Sequence, residues 1–318
     1  MRMNCNSQVL QKGMVLIMTK IKKYIPFYLM MIPGLLYILI NNYLPMAGLA
    51  IAFKNVNYSV GIWKSPWVGL QNFKYLFATK EAFVITRNTL LYNIAFIVIG
   101  VIVAVTVAVL LNEIAAVKAK KFYQTVILIP YLISMVVVSY LVYALLNTES
   151  GFINKSILEP LGLTKIAWYS SPQYWPVILI LVQVWKTFSY NSIIYLATLV
   201  GFDKSYYEAA MIDGASRWQR IKCITLPLLK PTIIVMVLMS IGKIFYSDFG
   251  LFYQVPMNQG VLYDVTNTID TYVYRGLIQF NNIGMSSAAG FYQSIVGFIC
   301  VLTANFVVRK FDRDNALF

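Results

Sequence analysis

Six stretches of this chain run for eighteen or more residues with almost no charge, and that pattern restricts the fold more than any other feature. Residues 24–53, 88–112, 122–147 and 283–308 contain no Asp, Glu, Lys or Arg. Residues 174–199 contain only Lys186, and 231–251 only Lys243 and Asp248. A helix needs about 20 predominantly apolar residues to cross the hydrocarbon core. Over the 318 residues only 12% are charged and 59% are hydrophobic, whereas a soluble domain carries roughly 25% charged residues. The expectation is an all-α, polytopic membrane protein with six transmembrane helices, the first spanning about 26–43.

Six spans place both termini on one side, and the Lys and Arg counts choose that side. With the termini inside, cytoplasmic segments hold sixteen basic residues and outer loops eight. The first outer loop, carrying Lys54, Lys64, Lys74, Lys80 and Arg87, runs against this bias. Both termini are therefore expected in the cytoplasm, in a cell membrane of bacterial type. Residues 1–23 read as a cytoplasmic tail, with Met18 an alternative start, and 24–318 as one membrane domain. The apolar run 14–18 is too short for a signal peptide and lacks a small-residue cleavage site.

Several function classes fall away. The net charge of +14 is spread along the chain without a clustered basic face, so no nucleic-acid partner is expected. There is no His, and Cys5, Cys223 and Cys300 are scattered, which indicates neither a metal site nor a disulfide framework. An intramembrane enzyme would need paired carboxylates or a His-containing site. A secondary transporter would need ion-coupling groups in its spans, and Asp248 is the single carboxylate candidate. No Gly-rich phosphate loop with Lys and Ser or Thr occurs, so the chain is neither an ATPase nor expected to be an enzyme.

The cytoplasmic connection 201–231 is unlike an ordinary loop. Ser205 followed by Glu208 fits a capping box that opens a short helix. Gly214 suits the left-handed residue that ends it. Ser216 and Gln219 repeat the capping pattern and begin a second helix toward Ile224, while Pro227 and Pro231 punctuate entry to the fifth span. Two readings fit this elbow: a docking surface with small residues (Ala209, Ala210, Gly214, Ala215), or an amphipathic segment on lipid headgroups helped by Arg217, Trp218 and Arg220.

Glu208, Ala209, Ala210, Gly214, Ile224, Leu226 and Pro227, at this spacing before the penultimate span, resemble the signature loop of binding-protein-dependent ABC importer permeases. Dispersed short matches cover nearly the whole chain, among them Trp67–Phe73, Arg87–Thr89 and Thr271–Arg275, and look like the oligosaccharide- and polysaccharide-uptake branch. The resemblance implies a type I ABC importer permease fold. It also implies that the seven loop residues couple to a cytoplasmic ABC ATPase dimer, with ATP and Mg used there and no cofactor on this chain. The implied partners are a second permease subunit, an extracytoplasmic sugar-binding protein and membrane lipid. A permease for another cargo, such as a peptide, phosphate or lipid-linked saccharide, is the nearest alternative. The motifs do not specify a sugar.

A sugar path needs aromatic faces and polar groups in an interhelical cavity. The fourth span offers Trp185, Lys186, Tyr190 and Asn191, and the fifth offers Lys243, Tyr246 and Asp248. Charged residues within spans usually face the bundle interior or a water-filled path. The competing assignment for each is a structural interhelical contact. Outer Trp63, Trp67, Trp168 and Tyr169 fit either a binding-protein contact or interfacial anchoring.

Overall fold

A computed structural model describes residues 24–311; the tail assigned to 1–23 lies outside the described residues. Among the described residues the chain is helical, with no strand beyond an isolated bridge between Lys54 and Trp67. Five helices are long and apolar enough to cross a membrane, and six if one sharply bent pair counts as a single span. The six-span, all-α expectation holds on that count.

The first span, α1 (Tyr24–Phe53), runs past the expected end at Tyr43. It changes from α to π geometry at Leu39–Tyr43 and to 3-10 geometry at Leu44–Phe53. Pro45 lacks an N–H and its ring would strike the carbonyl one turn back, so the backbone widens locally rather than stopping. An outer helix α2 (Gln71–Ala78) leads into α3 (Lys80–Asn112), which starts eight residues before the uncharged run. Its 33 residues extend about 50 Å, well beyond the ~30 Å hydrocarbon core. The turn carrying Lys80, Glu81 and Arg87 therefore stands outside the membrane.

The third apolar run is not one straight span. It divides into α4 (Val117–Leu132) and α5 (Met135–Leu146), which meet at 90°. Pro130 weakens the last turn of α4, and Ser134 caps α5 by accepting the Val137 N–H at 3.4 Å.

Helix α6 (Trp175–Val200) packs along α3 and forms the spine of the bundle. On their inner halves, Ala104, Val105 and Ala108 of α3 meet Tyr195, Leu196 and Leu199 of α6, with Leu229 closing the cluster. Small residues at this contact let the two backbones approach, the packing available where lipid removes the hydrophobic drive between helices.

The elbow follows as α7 (Ser205–Ile212) and α8 (Arg217–Ile241). Helix α8 is continuous from the elbow through the fifth apolar run as far as Ile241. A π turn at Ile221–Thr225 absorbs Pro227, and Pro231 lies within the helix. The prolines thus do not mark the entry to the span, as expected; they sit inside one long element. The other end also differs. The helix stops at Ile241 instead of Leu251, and Lys243, Tyr246 and Asp248 occupy a break before α9 (Phe249–Gln254), which Asp248 caps. Helix α10 (Ile269–Ile278) and the last span α11 (Ile283–Phe311) complete the described residues.

Candidate functional site

Between α6 and α8, backbone geometry builds a defined elbow. Gly214 has φ +77°, a left-handed conformation that a side chain with Cβ resists. Around it the Ala215 N–H donates to Ala210 O at 2.9 Å and the Gly214 N–H to Met211 O at 3.1 Å, the two bonds of a Schellman stop. The Ser216–Gln219 capping box forms in both directions, at 2.7 and 3.3 Å. The Ser205–Glu208 box does not form. Asp203 Oδ1 instead accepts the Ser205 N–H at 2.9 Å, which makes Lys204 the cap residue and places Ser205 inside the helix. Those bonds from Ser205 hold the Asp203 carboxyl below its ordinary range.

Glu208 and Ala209 are exposed on α7, while Ala210 and Ile224 are half-buried. Leu226 and Pro227 are exposed near the base of α8. The elbow also shows solvent a large apolar surface: Ile212 is 86% exposed and Trp218 70%. One bond ties its two arms together, between Tyr207 OH and the buried Thr225 Oγ1 at 3.1 Å.

A cavity of about 310 Å³ opens between the middle of α3, the middle of α6 and the break after α8. Five expected path residues line it: Tyr190, Asn191, Lys243, Tyr246 and Asp248. Tyr190 stacks on Tyr131 with ring centres 4.9 Å apart and planes 12° from parallel. Gln183, Thr187, Tyr190 and Asn191 recur at i, i+4, i+7 and i+8, one face of α6. The Gln183 Oε1 is buried and has no hydrogen-bond partner.

Two expected path residues lie elsewhere. The Lys186 ammonium turns away to α4 and donates to the carbonyls of Tyr131 (3.2 Å), Pro130 (3.5 Å) and Ile133. It caps the backbone that the 90° bend leaves open, so its charge has a structural use. Trp185 lines a separate apolar cleft of about 570 Å³ with Val138, Leu141 and Leu181.

The cavity also depends on Asn93, which sequence reading passed over. Its Nδ2 donates to Thr89 O (2.9 Å), Ile244 O (2.9 Å) and Tyr246 O (3.1 Å). It thereby satisfies carbonyls released where α8 ends. A lone uncharged amide in an apolar run was the available signal, since lipid-depth backbone outside a helix requires such partners. The same face of α3 grips the outer segment: Asn88 donates to Asp264 O and Asn267 O, and Tyr92 to Val265 O.

In the loop after α1, Lys54 is buried against Trp67 and donates to the carbonyls of Trp63 and Ile62 at 2.6 and 3.3 Å. Trp63 and Trp67 remain largely exposed. Trp168 and Tyr169 are half-buried: the indole N–H of Trp168 donates to Asn154, and the Tyr169 hydroxyl to Val255 O. Arg275 is also buried, over the Tyr263 ring and bonded to Asn258, Asn267 and Thr271. Burial lowers its pKa from the ordinary arginine value.

Residues 97–313 match the family described as the inner membrane component of binding-protein-dependent transport systems. Protein LplB of Bacillus subtilis (strain 168) is 35% identical over 288 residues, covering 91% of this chain and 90% of that protein. The polygalacturonan/rhamnogalacturonan transport system permease protein YteP of the same organism is 35% identical over 294 residues, or 92% and 90%. A solved bacterial ABC transporter involved in import of the acidic polysaccharide alginate has a chain 31% identical, with a TM-score of 0.85. That alignment covers 93% of this chain and 99% of the solved one. A second alginate transporter structure contains a periplasmic protein loaded with an alginate pentasaccharide and matches with a TM-score of 0.83. By the family match over most of its length and the identity to these relatives, this chain belongs to the family of inner membrane components of binding-protein-dependent transport systems.

Proposed function

We propose that this chain is the transmembrane permease subunit of an ATP-driven oligosaccharide importer, with the mid-membrane cavity as part of the translocation path. Saccharide cargo is supported by relatives named for polygalacturonan/rhamnogalacturonan, trehalose/maltose and arabinooligosaccharide transport. The coupling surface is the elbow 208–227, including Glu208, Ala209, Ala210, Gly214, Ile224, Leu226 and Pro227. It docks in the cytoplasmic ATPase dimer, which binds the ATP and Mg. The observation that carries this reading is the exposed apolar elbow whose second arm continues unbroken into a span. Movement of the ATPase then reaches the bundle through a single rigid helix.

Tyr190, Asn191, Lys243, Tyr246 and Asp248 form this chain's wall of the path, and a second permease supplies the facing wall. The exposed outer face with Trp63 and Trp67 receives an extracytoplasmic binding protein. Both termini lie in the cytoplasm. Cysteine crosslinking tests the elbow assignment: Ile212→Cys should form a crosslink with the ATPase in the intact complex, and ATP should alter its yield. Crosslinking only to lipid-anchored probes would place the elbow on the headgroups instead.

A further inference from the structure

The cavity holds two charged side chains whose local circumstances differ. Asp248 caps α9, and its Oδ1 accepts the Leu251 N–H at 3.1 Å. Its negative charge thus sits on unsatisfied N–H groups, the favourable end of a helix. Lys243 has no such partner. Among the described residues its ammonium makes no hydrogen bond, and the one ion pair present joins Lys165 to Glu149. Lys186, the other span lysine, is fully occupied by three carbonyls.

Lys243 is thus the cation that lines the cavity, unpaired among the described residues, and it shares that lining with Gln183, Asn191 and Tyr246. Gln183 Oε1 lacks a donor, and the side chains of Asn191 and Tyr246 point into the same space. Thr187 and Ser240 spend their hydroxyl protons on backbone carbonyls one turn away. Lys243 is exposed at the cavity, open to an anion that arrives with the cargo. The adjoining aromatic rings and amides suit sugar faces and hydroxyls.

We propose that the cargo is an acidic oligosaccharide, one whose sugars carry carboxylates, and that Lys243 is the specificity-determining residue that receives a carboxylate. This rests on the importer reading above and narrows it to a substrate class. Recognition is by a charge-assisted hydrogen bond from the ammonium, with Asp248 held off by its own helix end.

The test uses the complete importer, with partner permease, ATPase and binding protein, in proteoliposomes. Uptake is compared for an oligogalacturonate and for the same oligosaccharide after reduction of its carboxyl groups to alcohols. The wild-type importer should take up the acidic form. Lys243→Gln should lower acidic uptake about tenfold, the size of a lost bond to a charged group, and Lys243→Arg should recover most of it. The tenfold loss should appear in the acidic-to-neutral uptake ratio, which a general packing defect would not move. A change of less than twofold in that ratio for Lys243→Gln, or uptake of the neutral form alone, overturns the proposal while leaving the oligosaccharide importer intact. Uptake of neither form also overturns the proposal; the saccharide reading falls separately, if no oligosaccharide of any kind is taken up.

Discussion

The Lys186 ammonium donates to the Tyr131 carbonyl at 3.2 Å, across the gap between the fourth apolar run and the bend of the third. A bent helix at membrane depth leaves carbonyls without N–H partners, and each unsatisfied group costs several kcal/mol in hydrocarbon. Lys186 meets that need at one break and Asn93 at the other. The cavity lies between the two repaired breaks.

Replacing Lys186 with Met keeps length and apolar bulk but removes all three bonds. We expect a loss of about 1–3 kcal/mol in stability, read as earlier thermal unfolding of the detergent-purified complex. Undiminished stability together with abolished uptake would return Lys186 to the translocation path.

Asn93→Leu should act similarly at the second break. It strands the carbonyls of Ile244 and Tyr246, with a cost of about 1–3 kcal/mol. Faster hydrogen exchange at the start of the outer segment, around 243–250, should accompany it. Unaltered exchange there would show that Asn93 does not hold the break.

Gly214→Val forces a β-branched residue to a φ of +77°. Left-handed backbone costs about 1–2 kcal/mol for ordinary residues and more for branched ones, so the Schellman turn should open. ATPase copurification with the permease should fall severalfold while membrane insertion stays normal. Full retention of the ATPase and of uptake would remove the elbow from coupling.

Tyr207→Phe keeps the ring and deletes only the bond to Thr225. Because this bond joins the elbow's two arms, the ATP hydrolysed per molecule imported should rise severalfold. Thr225→Val should give the same rise, and the double variant should add little, as expected when two groups share one interaction. Additive effects would show that the two residues act independently.

The spans were legible because lipid demands long uncharged runs, and composition reports that directly. Their ends were not. Pro227 and Pro231 read as punctuation at the entry to the fifth span, yet a π turn precedes them and both sit within α8. The reach of α3 beyond the bilayer was hidden by its charged first turns. At the elbow, Gly214 and the Ser216–Gln219 box followed from local backbone chemistry. Ser205 did not cap because Asp203, two residues earlier, bonded its N–H first.

The cavity was half legible. Tyr190, Asn191, Lys243, Tyr246 and Asp248 meet there, but Lys186 does not, because a span charge can serve a broken backbone as well as a ligand. Which carbonyls would be freed depended on the 90° bend, a tertiary feature with only Pro130 and Ser134 as local signs. Asn93 escaped notice for the same reason: its three acceptors include two that are 151 and 153 residues away.

The central claim, that this chain imports saccharide only as the membrane subunit of an ATP-driven assembly, is tested most directly by radiolabelled oligosaccharide uptake into proteoliposomes. The account predicts uptake that requires the partner permease, the ATPase, ATP and the loaded binding protein together, and no uptake by this chain alone under any imposed proton or sodium gradient. Gradient-driven uptake by the chain alone would contradict it.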